Sequence, residues 1–133
     1  MKFIIVIFFS FLSTPICLSQ NWNGHFSYYN SIDTSTGNGK IFTASENAIY
    51  IYSSQTDQLE TLTTIDGLSG DFISNIHYSS IFNKLVIGYE NGLIQIVDFT
   101  NDNVLTIYDI IEKATIPPNK KYINQITEFE DII

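Results

Sequence analysis

The sequence predicts an all-β chain, a partial β-propeller of about two four-stranded blades plus the start of a third. Composition is the first reason. Of 133 residues, 23 are Ile, 4 Val, 8 Tyr, 10 Phe, 1 Trp and 12 Thr, against only 3 Ala and 8 Leu. Branched and aromatic side chains lose rotamer freedom in a helix and pack well on a pleated surface. Internal repetition is the second. Residues 40–52 read KIFTASENAIYIY and residues 84–96 read KLVIGYENGLIQI, an offset of 44. Lys40/Lys84, Glu46/Glu90 and Asn47/Asn91 coincide, and small or apolar types match at Ile41/Leu85, Ala44/Gly88, Ala48/Gly92 and Ile49/Leu93. A further repeat, offset by 50, aligns Phe72-Ile73-Ser74-Asn75-Ile76 with Tyr122-Ile123-Asn124-Gln125-Ile126. A period in the forties, built of short strands between turn signals, is the size of one propeller blade.

Residues 1–19, MKFIIVIFFSFLSTPICLS, come first. Lys2 supplies a positive start, residues 3–12 an apolar run, and residues 13–19 a more polar exit. Small Cys17 and Ser19 suit the −3 and −1 sites of a leader peptidase, so this is a secretory signal with cleavage before Gln20. A membrane anchor needs about 20 apolar residues, and extending the run to Leu18 admits three hydroxyls and a proline. A lipidated Cys17 is the other alternative, with bulky Ile16 before it as the objection. Cys17 is the only cysteine, so the mature chain has no disulfide, thiolate ligand or thiol nucleophile. Stability must then come from a core or from neighbouring repeats.

The blades follow at about 24–66, 67–112 and an incomplete 116–133. In the second, residues 72–79 form a first strand, with Phe72, Ser74, Ile76 and Tyr78 on one face. Asn83-Lys84 turns the chain into a second strand at 84–89. Glu90-Asn91-Gly92 makes a tight turn, with Asn-Gly taking positive φ in a two-residue loop. Residues 93–99 are the third strand, Asn101-Asp102-Asn103 a turn and 104–110 the fourth strand. The preceding blade has strands in 40–52 and 59–65, with its first strand within 26–32. Pro117-Pro118 breaks the chain, 122–129 repeats a first strand, and Asp131-Ile132-Ile133 opens a second. Blades bury their faces against neighbours, and propellers close with four to eight. The expectation is therefore the N-terminal part of a larger propeller, with Ile73, Ile76, Val86 and Ile94 left facing water in the fragment. A complete β-sandwich of about eight strands is the competing fold.

Charge removes partners. There are 14 acids, 6 Lys and no Arg, and the net charge of −8 becomes −9 once Lys2 leaves with the signal. Nucleic acid needs clustered cations, and anionic lipid repels the same surface. Candidate chemistry is sparse. His77 lies on a strand near Asp66, Asp71 and Ser74 in sequence, yet no nucleophile elbow or triad signature surrounds it. His25 beside the aromatic run 26–29 reads as a packing residue, and two histidines 52 apart make no zinc pattern. Residues 33–39, Asp-Thr-Ser-Thr-Gly-Asn-Gly, alternate oxygens around glycine like the start of a calcium loop, with one acid and no bidentate Glu. Asp66 and Gly67 make a turn that lets Leu68 plug the space between blades. Glu46-Asn47-Ala48 and Glu90-Asn91-Gly92 recur with the fold, which points to hairpin geometry. Trp22 with Phe26, Tyr28 and Tyr29, and Tyr50 with Tyr52, are exposed aromatic runs that either stack on sugars or pack between blades. No catalytic residue, cofactor site or metal site is assigned.

Several of these elements occur in a familiar order. Trp22-x-x-His25 and Ser27-Tyr28 precede Gly39-Lys40-Ile41-Phe42; Asp66-Gly67-Leu68-Ser69 and Ile73-Ser74-x-Ile76 come next, ahead of Gly88-Tyr89-Glu90-Asn91-Gly92. Together they resemble the N-terminal propeller of PorZ-type proteins of the type IX secretion system in Bacteroidetes. The resemblance implies a non-catalytic, exported scaffold in the complex that attaches cargo to lipopolysaccharide. Its partners would be other secretion-system surface proteins and cell-surface polysaccharide. The second propeller and sorting domain of that family have no counterpart in this sequence. The Asp-Gly-Leu-Ser element is shared with sensor propellers of hybrid two-component regulators, which is the alternative function. A propeller lyase or hydrolase is the third.

Overall fold

The computed structural model describes residues 30–130. They form two four-stranded antiparallel meanders. The first holds β1 (Asp33–Gly37), β2 (Lys40–Ala44), β3 (Ile49–Ser53) and β4 (Gln58–Leu62) in that spatial order. The second holds β5 (Ile73–Ser79), β6 (Lys84–Tyr89), β7 (Ile94–Asp98) and β8 (Asn103–Ile107), again in order. A 3₁₀ turn at Thr64–Asp66 bridges the sheets; a short helix α1 (Asp109–Glu112) and a second 3₁₀ turn at Pro118–Lys120 follow β8.

The hairpins explain why the repeat is regular. In three of them, Ser53↔Gln58, Ser79↔Lys84 and Asp98↔Asn103 close four-residue loops. Each loop ends on an Asn or Asp in left-handed conformation, namely Asp57, Asn83 and Asp102 at φ 54°, 54° and 51°. Short Asx side chains tolerate that region and bond locally, so the turn chemistry recurs with the strands. Asn38 and Gly39, at φ 51° and 72°, make the two-residue loop between β1 and β2. Two successive positive φ angles match the twist of the flanking strands. The sequence reading placed that loop type at Asn91-Gly92 instead. There only Gly92 is left-handed, at φ 90°; Gly92 N–H donates to Tyr89 O at 3.1 Å, and Asn91 Oδ1 accepts from Leu93 N–H at 2.9 Å. It is a three-residue loop closed by an Asx bond.

One core runs through both sheets. Phe42, Ala44, Ile49 and Ile51 from the first meet Ile76, Tyr78, Leu85 and Ile87 from the second, with Leu68 of the connection among them. Phe42 and Tyr78 stack at 4.3 Å between ring centres, and Phe99 tilts against both. A sandwich would share this much. What differs is the far face of the second sheet, where Val86, Ile94, Ile96 and Ile107 line an apolar cleft of about 510 Å³ together with Ile123 and Ile126 of the following segment. A sheet that is apolar on both faces is a blade between neighbours, not an outer layer. Ile73 and Ile76 are 1% and 4% exposed, Val86 is 5% exposed and Ile94 is half-buried, so these residues do not face water as expected. The neighbouring sheet covers the first two and the 122–129 segment shields the others.

Several strand positions also differ from expectation: the fourth strands end at Leu62 and Ile107 instead of at 65 and 110, with Ile65 in the 3₁₀ turn and Ile110 in α1. The first strand of the first blade is Asp33–Gly37, not a stretch within 26–32; residues 26–29 lie outside the described residues, and 30–32 are not strand. Residues 122–129 carry no ladder beyond an isolated bridge at Phe129. A ladder needs a partner strand, and the second strand expected from 131 lies outside the described residues.

Candidate functional site

The inner seam, where successive first strands lie side by side, gathers most of the polar side chains singled out above. Asp33 and Ser35 face out of β1 toward β5. Asp33 Oδ2 accepts from Ile76 N–H at 2.9 Å, and Ser35 Oγ accepts from Tyr78 N–H at 2.8 Å. A β5 edge that would otherwise hold unpaired donors is thus capped by side chains of the preceding blade. The next seam uses the reverse polarity. Ser74 Oγ donates to Ile123 O at 2.8 Å, while Ser79 Oγ donates to Glu128 Oε1 at 2.8 Å and His77 Nε2 lies 3.3 Å from Glu128 Oε2.

His77, a carboxylate and a serine are therefore together, but not the ones adjacent in sequence. Asp66 is spent on a capping box, its Oδ2 accepting from Thr63 N–H and Oγ1 at 2.8 and 3.1 Å. Asp71 is exposed, and Ser74 bonds the backbone. Ser79 is two residues along β5 from His77, but Glu128, 49 and 51 residues from them, was not legible as their common partner. The geometry does not suit acyl transfer. Catalysis needs the nucleophile against the base and the base against its orienting acid. Here the carboxylate sits between serine and histidine, and Ser79 is fully buried. The trio fastens residues 122–129 to the blade.

Other expectations resolve into structure. The run 33–39 is β1 and its hairpin loop, and Asp33 Oδ1 accepts from Thr34 N–H at 2.8 Å, so its carboxylate is engaged by two amides and no calcium loop forms. Among the described residues no group of three or more His, Cys, Asp or Glu is placed to hold a metal. Tyr50 is 7% exposed and lies in the interior, while Tyr52 donates from its hydroxyl to Asp57 at 2.9 Å. The pair alternates across the sheet and offers no continuous platform to a sugar. Trp22, His25, Phe26, Tyr28 and Tyr29 lie outside the described residues.

Gln95 is the buried polar residue that sequence reasoning missed. At 2% exposure, its Oε1 accepts from Ser69 N–H at 3.0 Å and from the Tyr89 hydroxyl. Its Nε2 donates to Gly67 O at 3.2 Å and to Thr106 Oγ1 at 3.0 Å. Burial pushes the Tyr89 phenol above its ordinary value, so it stays a donor. The Asp66-Gly67-Leu68-Ser69 turn is thereby pinned to the second blade, with Gly67 at φ 99° and Leu68 inserted into the core. Outside that turn, the two blades leave a cleft of about 490 Å³ at the perimeter, floored by Ile51, Leu62 and Val97 and bordered by Glu60 and Asp102.

The order of elements, the two blade-sized meanders and the pinned inter-blade turn are those of a propeller. The family profile described as the type IX secretion PorZ N-terminal β-propeller domain matches residues 41–133. The chain belongs to that family. Among solved structures, PorZ of Porphyromonas gingivalis, an essential bacterial surface component of the type IX secretion system, aligns at a TM-score of 0.64 with 22% identity. The alignment covers 74% of this chain and 13% of that one, so the chain spans about an eighth of the PorZ chain it matches. A chain of the mitotic checkpoint complex aligns at a TM-score of 0.47 and 20% identity, over 56% of this chain and 23% of that one, too loosely to carry an argument. No curated protein matches significantly. This PorZ-type domain is a type IX secretion-related propeller, and among its described residues no helix is long and apolar enough to cross a membrane.

Proposed function

We propose that this PorZ-type domain is a non-catalytic scaffold, exported through a signal at residues 1–19 and acting at the outer surface in the attachment of secreted cargo. Other secretion-system surface proteins, and cell-surface polysaccharide, are its partners in this reading. The observation that carries the scaffold assignment is the Ser79–Glu128–His77 trio. The polar cluster nearest to an active site has its carboxylate in the wrong place and its hydroxyl buried, and its hydrogen bonds serve the seam. Membership of the PorZ family supports the secretion role, and the surface role of the P. gingivalis protein supports the location.

The test uses the full-length protein in cells that depend on it. His77→Ala leaves cargo retained on the cell surface. Gly92→Val removes retention by lowering the amount of folded protein, because Val resists φ 90° and its Cβ would lie 2.7 Å from Lys121 O. Loss of retention in His77→Ala, with the protein folded and at normal abundance, overturns the scaffold reading.

A further inference from the structure

Because the blades repeat, the two seams call for the same amide caps, and one atom shows where the second seam is unfinished. Register fixes the equivalence. Asp33 stands across from Ala44 and Ser35 across from Phe42; Asn75 stands across from Gly88 and His77 across from Val86. Gly88 and Val86 follow Ala44 and Phe42 at the repeat offset of 44, so Asn75 takes the place of Asp33 and His77 that of Ser35. In the first seam Asp33 Oδ2 accepts from Ile76 N–H. The offset of 50 makes Ile126 the counterpart of Ile76. Yet Asn75 Oδ1 is buried without a hydrogen-bond partner, and Ile126 N–H donates to nothing among the described residues. A buried carbonyl without a donor is destabilising, so the pair marks a bond the fold calls for and has not made.

We infer that Asn75 is the clasp of the following blade: its carbonyl accepts from Ile126 N–H when residues 122–129 lie down as that blade's first strand. The segment is already held on either side of this point. Toward its end, Ser79 Oγ donates to Glu128 at 2.8 Å, just as the Tyr78 ring lies against Gly37 in the first seam. Tyr78 precedes Glu128 by 50 positions, and Gly37 and Ser79 stand across from Lys40 and Lys84, so this end is in register. Toward its start, Ile123 N–H donates to Tyr89 O at 3.4 Å, where its counterpart Ile73 donates to Glu46 O at 2.8 Å. Glu46 corresponds to Glu90, so this end is held one residue off. The slack falls between the two anchors, beside Asn75. A ladder along the outer edge of 122–129, as the strand expected from 131 supplies, fixes extended backbone. Alternate amides then point to one side, and Ile126 N–H turns to the seam as Ile76 N–H does. Asparagine suits the place, since it accepts without adding charge where Glu128 already brings a carboxylate to the seam.

Amide-resolved hydrogen exchange on the purified full-length protein is the test. Ile126 N–H is protected in the unaltered protein. Asn75→Leu and Asn75→Ala both remove the acceptor, and each speeds Ile126 exchange by about tenfold. Asn75→Asp restores an acceptor of the kind Asp33 supplies and keeps the Ile126 rate within about threefold of the unaltered protein. The Ile76 amide, bonded to Asp33 in the first seam, keeps its rate in all of them, which separates a lost bond from a lost fold. Unprotected exchange of Ile126 in the unaltered protein overturns the inference. So does an Ile126 rate that Asn75→Leu and Asn75→Ala leave unchanged, or one that Asn75→Asp raises as much as they do.

Discussion

Gly37 is the residue on which the inner seam turns, and Gly37→Ala tests the packing argument directly. A Cβ built there lies 2.6 and 2.7 Å from Cδ1 and Cε1 of the Tyr78 ring, and 2.4 Å from Ser80 Oγ. Ser80 is exposed and its hydroxyl swings away. The Tyr78 ring has no such freedom. It is 4% exposed, stacked on Phe42, and its hydroxyl donates to Asn83 Oδ1 at 2.7 Å while accepting from Asn38 Nδ2 at 2.9 Å. Overpacking by one methyl costs about 1–3 kcal/mol. If the ring moves far enough to give up the stack and both hydrogen bonds, each worth about 1 kcal/mol, the loss reaches about 3 kcal/mol. The assay is hydrogen exchange of the Ile76 and Tyr78 amides in the full-length protein, since they donate across this seam to Asp33 and Ser35. Their exchange should accelerate by about a hundredfold. In a Tyr78→Leu background the ring is gone, and adding Gly37→Ala should cost under about 1 kcal/mol. Protection within about threefold of the unaltered protein in the single variant, or an equal cost in both backgrounds, refutes the reasoning.

Two further outcomes follow from the polar interior. Hydrogen bonds from the Asn101 side chain, then the Thr100 amide, with Lys84 at 3.4 Å, hold the Asp98 carboxyl at about 2, below its ordinary 3.8. A carboxyl depressed on folding stabilises fully above its unfolded value and loses that contribution as pH falls through the folded one, so unfolding curves of Asp98→Asn should show a flatter acid limb between about pH 4 and 2. Gln95→Leu leaves the buried Tyr89 hydroxyl without its acceptor and releases the exposed Gly67 and Ser69 from the second blade, and should lower stability by about 1–3 kcal/mol while opening the 66–70 turn to protease first.

The blade period was legible because strands and turns recur together: Lys40 and Lys84 open second strands, and Asp57 and Asp102 end third-to-fourth loops. β1 was not legible. Asp33, Thr34, Ser35 and Thr36 show no apolar alternation, since Asp33 and Ser35 are used to cap backbone donors of the next blade instead of filling a core. An oxygen-rich strand then reads as a loop. Gln95 was hidden for the opposite reason. Between Ile94 and Ile96 a glutamine reads as the wet side of a strand, and its burial comes from a turn 26 to 28 residues earlier in the chain. The Glu128 contacts to Ser79 and His77 span 49 and 51 residues and obey no motif. Tertiary pairs of this kind are set by how one blade stacks on the next, which no window along the chain samples.

Two blades in one chain act as controls for one another. Features present in both, such as the left-handed Asx at the loop ends and the small residue at Ala44 and Gly88, are what any blade needs; at Gly88 a Cβ would fall 2.6 Å from Ile123, so the next segment could not approach. Departures between them carry information that the fold alone does not require. The seam residues depart and have a visible reason, since Asp33 and Ser35 accept from amides while His77 and Ser79 hold a carboxylate. Glu60 departs from Leu105 while lying exposed on β4, the outermost strand of its sheet. Ile51 beneath it is already 2% exposed, so a leucine at this position would bury little more and would itself stand in water, as the equivalent Leu105 does at 57% exposure. The charge instead guards the outer edge of the sheet, where an apolar strand would invite pairing with another chain.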